Sequence, residues 1–274
     1  MTARTISIAS WNINSVRLRM DLVERFVREH NPDVLCLQET KVENGSFPHK
    51  PLAAMGFEHR AIHGQKGYHG VAILSRLPLE KAKSESFCGI DDARHLRVML
   101  PFGIELNNFY VPAGGDEPDV KANPKFAHKL SFLDEMERHF SKRRGKSSAR
   151  IVVVGDLNVA PHENDVWSHK QLLDVVSHTP METDRMKAVI ASHGFVDVTR
   201  THVPLSEKVF TWWSYRNSDW RKSDRGRRLD HVWVSPALAP ALVAGPSGHL
   251  ILSDARDWPR PSDHVPMMVR VNVG

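Results

Sequence analysis

The chain has 274 residues, of which 41% are hydrophobic and 25% charged, a composition typical of a folded globular protein with a substantial core. It shows no apolar segment long enough to cross a bilayer, no signal-peptide pattern and only two cysteines, Cys36 and Cys88, which do not suggest a disulfide framework. We therefore expect a cytoplasmic protein. The net charge of +5 permits nucleic-acid binding without demonstrating it.

The first third of the chain predicts a strand, a helix and a second strand. Residues 5–11 alternate apolar and polar side chains, residues 18–30 place apolar side chains at helical spacing, and residues 33–39 are mostly apolar. Asn31-Pro32 ends the predicted helix. The two strands end in polar residues, Asn12 and Glu39.

Shorter strands follow, at residues 57–62, 70–75, 96–100 and 104–111, and their succession favours antiparallel pairing. Residues 126–140 predict an amphipathic helix. The run Ile151-Val-Val-Val-Gly-Asp-Leu-Asn158 then predicts a strand that is buried on both faces, with Gly155 allowing a sharp turn at its end. On its own, this stretch fits an ordinary Gly-Asp turn as well as a functional site.

The last third continues the same alternation. Residues 161–180 form a long His-rich loop that is either functional or carries a short helix of its own. We predict a helix at 183–193 capped by Thr183, and strands at 195–199, 229–235 and 265–271. Because there is no linker or shift in composition, the sequence predicts a single α/β domain over residues 1–274.

Polar groups recur where the predicted strands end. They are Asn12, Glu39, Tyr110, Asp156, Asn158, Asp263 and His264, and Asp230 adds a further carboxylate inside a predicted strand. Glu39 and Asp263 are hard oxygen donors that suit Mg²⁺ or Mn²⁺. An Asp can act as general base to a water, and a His beside an Asp favours its cationic form. Together these groups suit metal-assisted hydrolysis of a phosphate ester.

The motifs that carry these groups resemble those of the exonuclease III family of apurinic/apyrimidinic endonucleases, bacterial branch. The motifs occur in the family's order along nearly the whole chain: Ser10-Trp-Asn-Ile-Asn14, Leu37-Gln-Glu-Thr-Lys41, Tyr110-Val-Pro112, Gly155-Asp-Leu-Asn158, Arg228-Leu-Asp230 and Ser262-Asp-His264. The resemblance implies a four-layer α/β sandwich, in which two mixed β-sheets pack face to face and helices flank them. The chain departs from the eukaryotic branch at Asn14, where that branch has Asp, and at Arg227, where it has an aromatic residue.

The resemblance also implies a role for each matching residue. Glu39 resembles the main metal ligand, Asn12 and Asp263 belong to the same predicted metal site with Asp263 as a contributing ligand, and the metal would be Mg²⁺ with Mn²⁺ as a substitute. Asp156 resembles the residue that activates water, and Asn158 and Tyr110 resemble the groups that hold the scissile phosphate. His264 resembles the histidine that faces the phosphate, with Asp230 as its orienting partner.

Substrate binding is predicted in the aromatic and basic segment of residues 212–228. Trp212 and Leu229 fall where the family forms a pocket for a flipped-out abasic sugar, and a small apolar pocket would exclude an intact nucleotide. Arg216 and Arg228 are predicted to contact the phosphate backbone. The expected partner is double-stranded DNA with abasic or 3′-blocked sites, bound by a monomer that associates with the nucleoid only through DNA.

The sequence therefore predicts a metal-dependent DNA repair nuclease that cleaves 5′ to abasic sites, with 3′–5′ exonuclease and 3′-phosphodiesterase activity. Two alternatives stay open. One is a phosphatase or phosphodiesterase of the same fold that acts on a non-DNA ester, against which the basic and aromatic segment argues. The other is a catalytically inactive DNA-binding module, against which the complete set of acidic residues and His264 argues.

Overall fold

The computed structural model describes residues 4–143, 148–216 and 219–273. These residues form twelve strands and seven α-helices. The strands are β1 (Arg4–Asn12), β2 (Val34–Gln38), β3 (His59–His63), β4 (Val71–Ser75), β5 (Glu80–Lys83), β6 (His95–Leu100), β7 (Ile104–Tyr110), β8 (Arg150–Asp156), β9 (Val196–Asp197), β10 (Asp230–Val234), β11 (His249–Ile251) and β12 (Met267–Val273). The helices are α1 (Met20–His30), α2 (His49–Ala54), α3 (Pro124–Ser141), α4 (His169–Leu172), α5 (Pro180–His193), α6 (Val198–His202) and α7 (Trp220–Ser223). None of the described helices combines the length and the apolar character that a membrane span requires.

The strands form two six-stranded mixed sheets. Their orders are β11-β12-β1-β2-β4-β3 and β5-β6-β7-β8-β10-β9. Each sheet has a central parallel pair, β1 with β2 in the first and β7 with β8 in the second, and the other pairs are antiparallel. The chain thus has both of the mixed sheets that the sequence led us to expect.

The two sheets pack against each other and each carries helices on its outer face. Along β8, Val152 and Val154 lie in the core between the sheets, whereas Ile151 and Val153 lie in the core formed with α3 and α5. On the first sheet, α1 buries its apolar face against the outer side in the same way. Because both faces of the central strands are covered, their sequences are continuously apolar rather than alternating. The predicted four-layer α/β sandwich is confirmed.

Gly155 serves a different purpose from the one predicted. It lies inside β8, where it pairs with Phe109 on one side and His231 on the other, and it does not form a turn. Its φ is 141°, and a Cβ at this position would lie 1.9 Å from the carbonyl oxygen of Phe109. Glycine is required here because the neighbouring strand approaches too closely for any side chain.

Some predicted elements were wrong at the level of detail. Only Val196–Asp197 of the predicted strand at 195–199 is a strand, and α6 begins at Val198 because Asp197 accepts a hydrogen bond from the backbone N–H of Arg200 and caps it. Helix α5 begins at Pro180, and its cap is Thr179, not Thr183. Thr179 and Glu182 form a reciprocal capping box, a signal that the sequence carries as Thr-x-x-Glu. Helix α2 and strands β5 and β11 were not predicted.

Candidate active site

The polar strand ends converge at one edge of the sandwich. Asn12 ends β1 and Glu39 directly follows the parallel strand β2, so their side chains emerge side by side. In the second sheet Tyr110 and Asp156 end the parallel strands β7 and β8 and are paired in register. Strand β10 runs antiparallel to β8, which places its first residue, Asp230, opposite Asp156. The predicted grouping of these residues therefore has a physical cause in the strand directions.

Asn12 connects the two sheets across this edge. Its Nδ2 donates to Glu39 Oε1 at 2.9 Å and to Asp156 Oδ2 at 2.9 Å, and its Oδ1 accepts from the backbone N–H of Asn14 at 3.1 Å. The side chain is fully buried. Asn12 thus holds two carboxylates of different sheets at a fixed separation, and its Oδ1, the side-chain atom that could bind a metal, is directed towards the backbone of Asn14.

Glu39 is surrounded by hydrogen-bond donors. The hydroxyl of Tyr110 donates to Glu39 Oε1 at 2.9 Å, and Lys41 Nζ lies 2.8 Å from Oε2. Burial raises the pKa of Glu39, but the charge of Lys41 and the hydrogen bond from Asn12 outweigh it, so the pKa lies below its ordinary value. Glu39 has a φ of 49°, a left-handed conformation that is strained for a non-glycine residue. The carboxylate is therefore ionised and rigidly held.

Asp156 and Asn158 form one rigid unit. The backbone N–H of Asn158 donates to Asp156 Oδ1 at 3.0 Å, and its Nδ2 donates to Asp156 Oδ2 at 3.1 Å and to the carbonyl of Val111 at 2.9 Å. Burial raises the pKa of Asp156, and the charges of Asp230 and Glu39 raise it further, although His264 and Asn12 act in the opposite direction. A carboxylate with a raised pKa is suited to accept a proton.

His264 and Asp230 form a buried pair. His264 Nδ1 lies 2.8 Å from Asp230 Oδ2, while its Nε2 lies 3.6 Å from Asp156 Oδ2. Burial lowers the pKa of His264, but the charges of Asp230 and Asp156 outweigh it and leave the pKa above its ordinary value. The ring is thus oriented by Asp230 and is cationic near neutral pH.

Asp263 contacts Trp212 and Asn14 at the margin of this cluster. Trp212 Nε1 donates to Asp263 Oδ2 at 2.9 Å, and Asn14 Nδ2 donates to Oδ1 at 3.1 Å. Asn14 in turn accepts from Lys41 Nζ at 2.5 Å, so a chain of hydrogen bonds joins Asp263 to Glu39 through Asn14 and Lys41. Burial raises the pKa of Asp263, but the charge of His264 and the bond from Trp212 outweigh it and lower it.

These groups suit a divalent cation because buried carboxylates outnumber the cations near them. Among the described residues, the four carboxylates of Glu39, Asp156, Asp230 and Asp263 together have two cations as ion-pair partners, Lys41 and His264. Ligand atoms of Asp156, Asp230 and His264 lie within 4.8 Å of one another. However, the His264–Asp230 contact is that of an ion pair, and a cationic imidazole cannot bind a metal. The excess carboxylate charge is the feature that fits hard cations such as Mg²⁺.

A cavity of about 680 Å³ opens onto this cluster. Its walls include the predicted substrate residues Trp212, Leu229 and Arg216, together with the catalytic candidates Glu39, Tyr110, Asp156, Asn158, Asp263 and His264. Of the two adjacent tryptophans, Trp212 lines the cavity, whereas Trp213 is part of the core with α1. The segment of residues 161–180 also contributes, through Trp167, Leu172 and Val176 among others.

The prediction that Arg228 contacts DNA does not fit the structure. Arg228 is fully buried, and its guanidinium forms a bidentate pair with Asp165 at 2.7 and 2.9 Å and an ion pair with Asp197 at 2.9 Å. The extended segment points alternate side chains to opposite sides, so that Arg227 and Leu229 line the cavity and Arg228 points away from it. The sequence thus predicted a basic side chain in the cavity wall but assigned it to Arg228 instead of the preceding residue, Arg227.

Sequence reasoning missed Lys129, which supports the site from behind. This fully buried lysine forms an ion pair with Glu182, and its Nζ donates to the carbonyls of Asn158 at 2.7 Å and Ala113 at 3.2 Å. The signal was available, because Lys129 lies on the apolar face of the predicted helix between Phe126 and Leu133. A lysine on a buried helical face must have a partner.

Comparisons with known proteins agree with this geometry. Residues 9–264 match the model of the Endonuclease/Exonuclease/phosphatase family. Exodeoxyribonuclease III of Haemophilus influenzae is 30% identical over 270 residues, which cover 94% of this chain and 97% of that protein. The chain belongs to the exonuclease III family. It is a hydrolytic nuclease of DNA repair, and metal dependence is general for the family.

Two solved structures share both the fold and a substantial part of the sequence with this nuclease. An AP endonuclease from Archaeoglobus fulgidus superposes with a TM-score of 0.87 at 32% identity, covering 97% of this chain and 99% of that one. The 3′ phosphatase NExo from Neisseria, bound to a product DNA hairpin, gives a TM-score of 0.86 at 28% identity, covering 96% of this chain and 98% of that one. These similarities extend over nearly the full length of both proteins.

Proposed function

We propose that this nuclease hydrolyses the phosphodiester 5′ to an abasic site in duplex DNA and leaves a 3′-hydroxyl. We also propose 3′-phosphodiesterase and 3′–5′ exonuclease activity at DNA ends. The observation that carries the proposal is that the apolar wall formed by Trp212 and Leu229 and the buried cluster around Asp156 belong to one cavity. The names of its relatives, an exodeoxyribonuclease III, an AP endonuclease and a 3′ phosphatase, support the same range of substrates.

The residues divide the reaction among them. Asp156 takes a proton from the attacking water, and Asn158, which is fixed to Asp156, aligns the water and the phosphate. Cationic His264, oriented by Asp230, stabilises the charge that develops on the phosphate oxygens, and the hydroxyl of Tyr110 faces the same space. The bond from phosphorus to the 3′ oxygen breaks, and that oxygen becomes a hydroxyl by taking a proton from solvent water.

We propose Mg²⁺ as the cofactor, with Mn²⁺ able to replace it. Glu39 would be the main ligand and Asp263 would contribute, because both pKa values are lowered and both carboxylates are therefore ionised. Asn12 would keep Glu39 and Asp156 apart from each other through its two hydrogen bonds. The cation would neutralise charge on the phosphate and favour nucleophilic attack.

The test uses two labelled duplexes, one with a single internal tetrahydrofuran abasic analogue and one with an intact recessed 3′ end. We expect a single cut 5′ to the analogue and a ladder from the recessed end, both lost in EDTA and restored by Mg²⁺. Preparations of Asp156→Asn serve as the control for contaminating nuclease. Cleavage of neither duplex, or undiminished cleavage in EDTA, would contradict the proposal. Sedimentation of the enzyme–DNA complex would separately test whether the enzyme binds as the expected monomer.

A further inference from the structure

Arg227 occupies a position in the cavity that the proposed reaction does not use. The backbone of Trp212 pairs with Arg227 and also with His264. Trp212 therefore lies between Arg227 and the catalytic histidine. The guanidinium carbon of Arg227 lies 5.4 Å from the centre of the Trp212 ring, and the side chain forms part of the cavity wall. Arg227 is therefore fixed beside the proposed sugar pocket by both backbone and ring contacts.

The partners of Arg227 differ from those of its neighbour Arg228. Arg228 pairs with two aspartates. Within the described residues Arg227 has no carboxylate at ion-pair distance. Its Nη1 donates to the carbonyl of Val176 at 2.9 Å and to Ser177 Oγ at 2.8 Å, and its Nε is buried with no hydrogen-bond partner in the part of the chain that the structure describes. A largely buried cation without a counter-ion is energetically costly unless a ligand supplies one.

The charged groups near Arg227 do not provide it with a counter-ion. Glu182 favours its charged form but is itself paired with Lys129. Asp116, which also lines the cavity, is exposed to solvent. Burial lowers the pKa of Arg227, which indicates that the cation is poorly compensated in the protein alone. An anion of the substrate would complete the pair, and hydrogen bonds between charged partners are among the strongest that proteins make.

We propose that Arg227 is a specificity-determining residue that binds a carboxylate carried by the group esterified to the scissile phosphate. The inference rests on the proposed function. In that reaction the water oxygen bonds to phosphorus, the bond to the DNA 3′ oxygen breaks, and the departing phosphate keeps its other ester group. An internal abasic site places a neutral sugar in the pocket, whereas a 3′ end blocked by phosphoglycolate places a short carboxylate there. This nuclease therefore favours an anionic blocking group over a neutral one of equal size.

The test compares two nicked duplexes that differ only in charge. One carries a 3′-phosphoglycolate and the other the 2-hydroxyethyl ester of the 3′-phosphate, and both yield the same 3′-hydroxyl product. For Arg227→Met we expect kcat/KM on the glycolate duplex to fall by about 10- to 100-fold, and kcat/KM on the hydroxyethyl duplex to stay within about threefold. Arg227→Lys keeps the charge and should recover part of the loss. Arg138→Met, which removes an exposed charge on α3, serves as the control.

The outcomes separate this inference from the proposed function. If wild-type enzyme shows no preference between the two esters, or if Arg227→Met lowers both rates in parallel, Arg227 merely ties the backbone at Val176 and the proposal is wrong. An Arg227→Lys enzyme that is as impaired as Arg227→Met on glycolate would also overturn it, because charge would then be irrelevant. Failure of the wild type on both esters and on the tetrahydrofuran duplex would instead reject the proposed function.

Discussion

Two clusters of charged residues lie on opposite sides of the segment of residues 227–229, and their charge balance differs. The first, here called the open cluster, contains Glu39, Asp156, Asp263 and His264, which line the cavity, and their partners Lys41 and Asp230. The second, the closed cluster, lies on the other side of the segment of residues 227–229 and contains Arg228, Arg200, Asp165 and Asp197. The open cluster has more carboxylates than cations, whereas the closed cluster is balanced.

The difference shows why burial of charge alone does not identify a functional site. In the closed cluster each carboxylate faces a guanidinium, and the pKa of Asp165 is lowered to about 2 because the charges of Arg228 and Arg200 outweigh the effect of burial. In the open cluster, burial and the charges of Asp230 and Glu39 raise the pKa of Asp156, whereas Lys41 and His264 help to lower the pKa values of Glu39 and Asp263. A balanced cluster is complete without a ligand, whereas an unbalanced one stores repulsion that a cation or a proton relieves. We therefore expect substitutions in the open cluster to affect catalysis and substitutions in the closed cluster to affect stability.

The largest effect is expected for Asp156→Asn in the open cluster. An amide cannot accept the proton of the attacking water, so kcat should fall by about 10⁴-fold, near the upper limit for a general base. Binding of the tetrahydrofuran duplex, measured by fluorescence anisotropy, should persist because the amide is isosteric. A variant that retains wild-type turnover would remove Asp156 from the mechanism.

The second effect, in the closed cluster, is expected for Arg228→Met. Removing this guanidinium leaves Asp197 and part of Asp165 buried without a counter-charge, and the free energy of unfolding should fall by about 3–5 kcal/mol. Chemical denaturation measures the loss. Arg221→Met is the matched control, since Arg221 also pairs with two aspartates, Asp254 and Asp257, but does so at the surface, and should change stability little. Equal losses in both variants would contradict the distinction.

A somewhat smaller effect on the rate is expected for His264→Ala. Loss of one charged donor near the developing charge typically lowers kcat by about 10²- to 10³-fold. KM should change much less, because the interaction is made mainly in the transition state. Single-turnover kinetics on the tetrahydrofuran duplex would show this split, and a raised KM with unchanged kcat would assign His264 to ground-state binding instead.

Much of this contrast was accessible from the sequence, but not all of it. Continuous β-branched runs such as residues 151–154 end in polar residues, and strand direction brings those ends together, so Asn12, Glu39 and Asp156 could be grouped in advance. Which side chains of residues 227–229 face the cavity could not be predicted, because a shift of one residue decides which arginine lines the cavity and which is buried. The role of Gly155 depends on how closely β7 approaches, which only the folded chain shows.

The closed cluster escaped prediction for a related reason. Asp165 and Asp197 lie in or beside short, irregular segments that have no periodic pattern. Their partner Arg228 lies in a motif that suggested a DNA contact, and nothing in the sequence pairs it with Asp165 or Asp197. Isolated charges in such segments are usually solvated, so nothing in the sequence marks the four residues of the closed cluster as buried. Lys129 differs, since its place on the apolar face of α3 distinguished it from a surface lysine.

The smallest expected effect is on stability in acid, and it originates from Asp165. Its pKa in the folded state is about 2, below the value of about 3.9 that is usual for an unfolded chain. A depressed pKa means that the folded state binds the proton less readily, so this carboxylate contributes stability above about pH 4 and loses the contribution as the pH falls towards 2. The contribution is of the order of 2 kcal/mol. The free energies of unfolding of wild type and Asp165→Asn, measured by denaturation at several pH values, should therefore differ most at pH 6 and converge in acid. A difference that is independent of pH would show that the charge of Asp165 is not what stabilises the closed cluster.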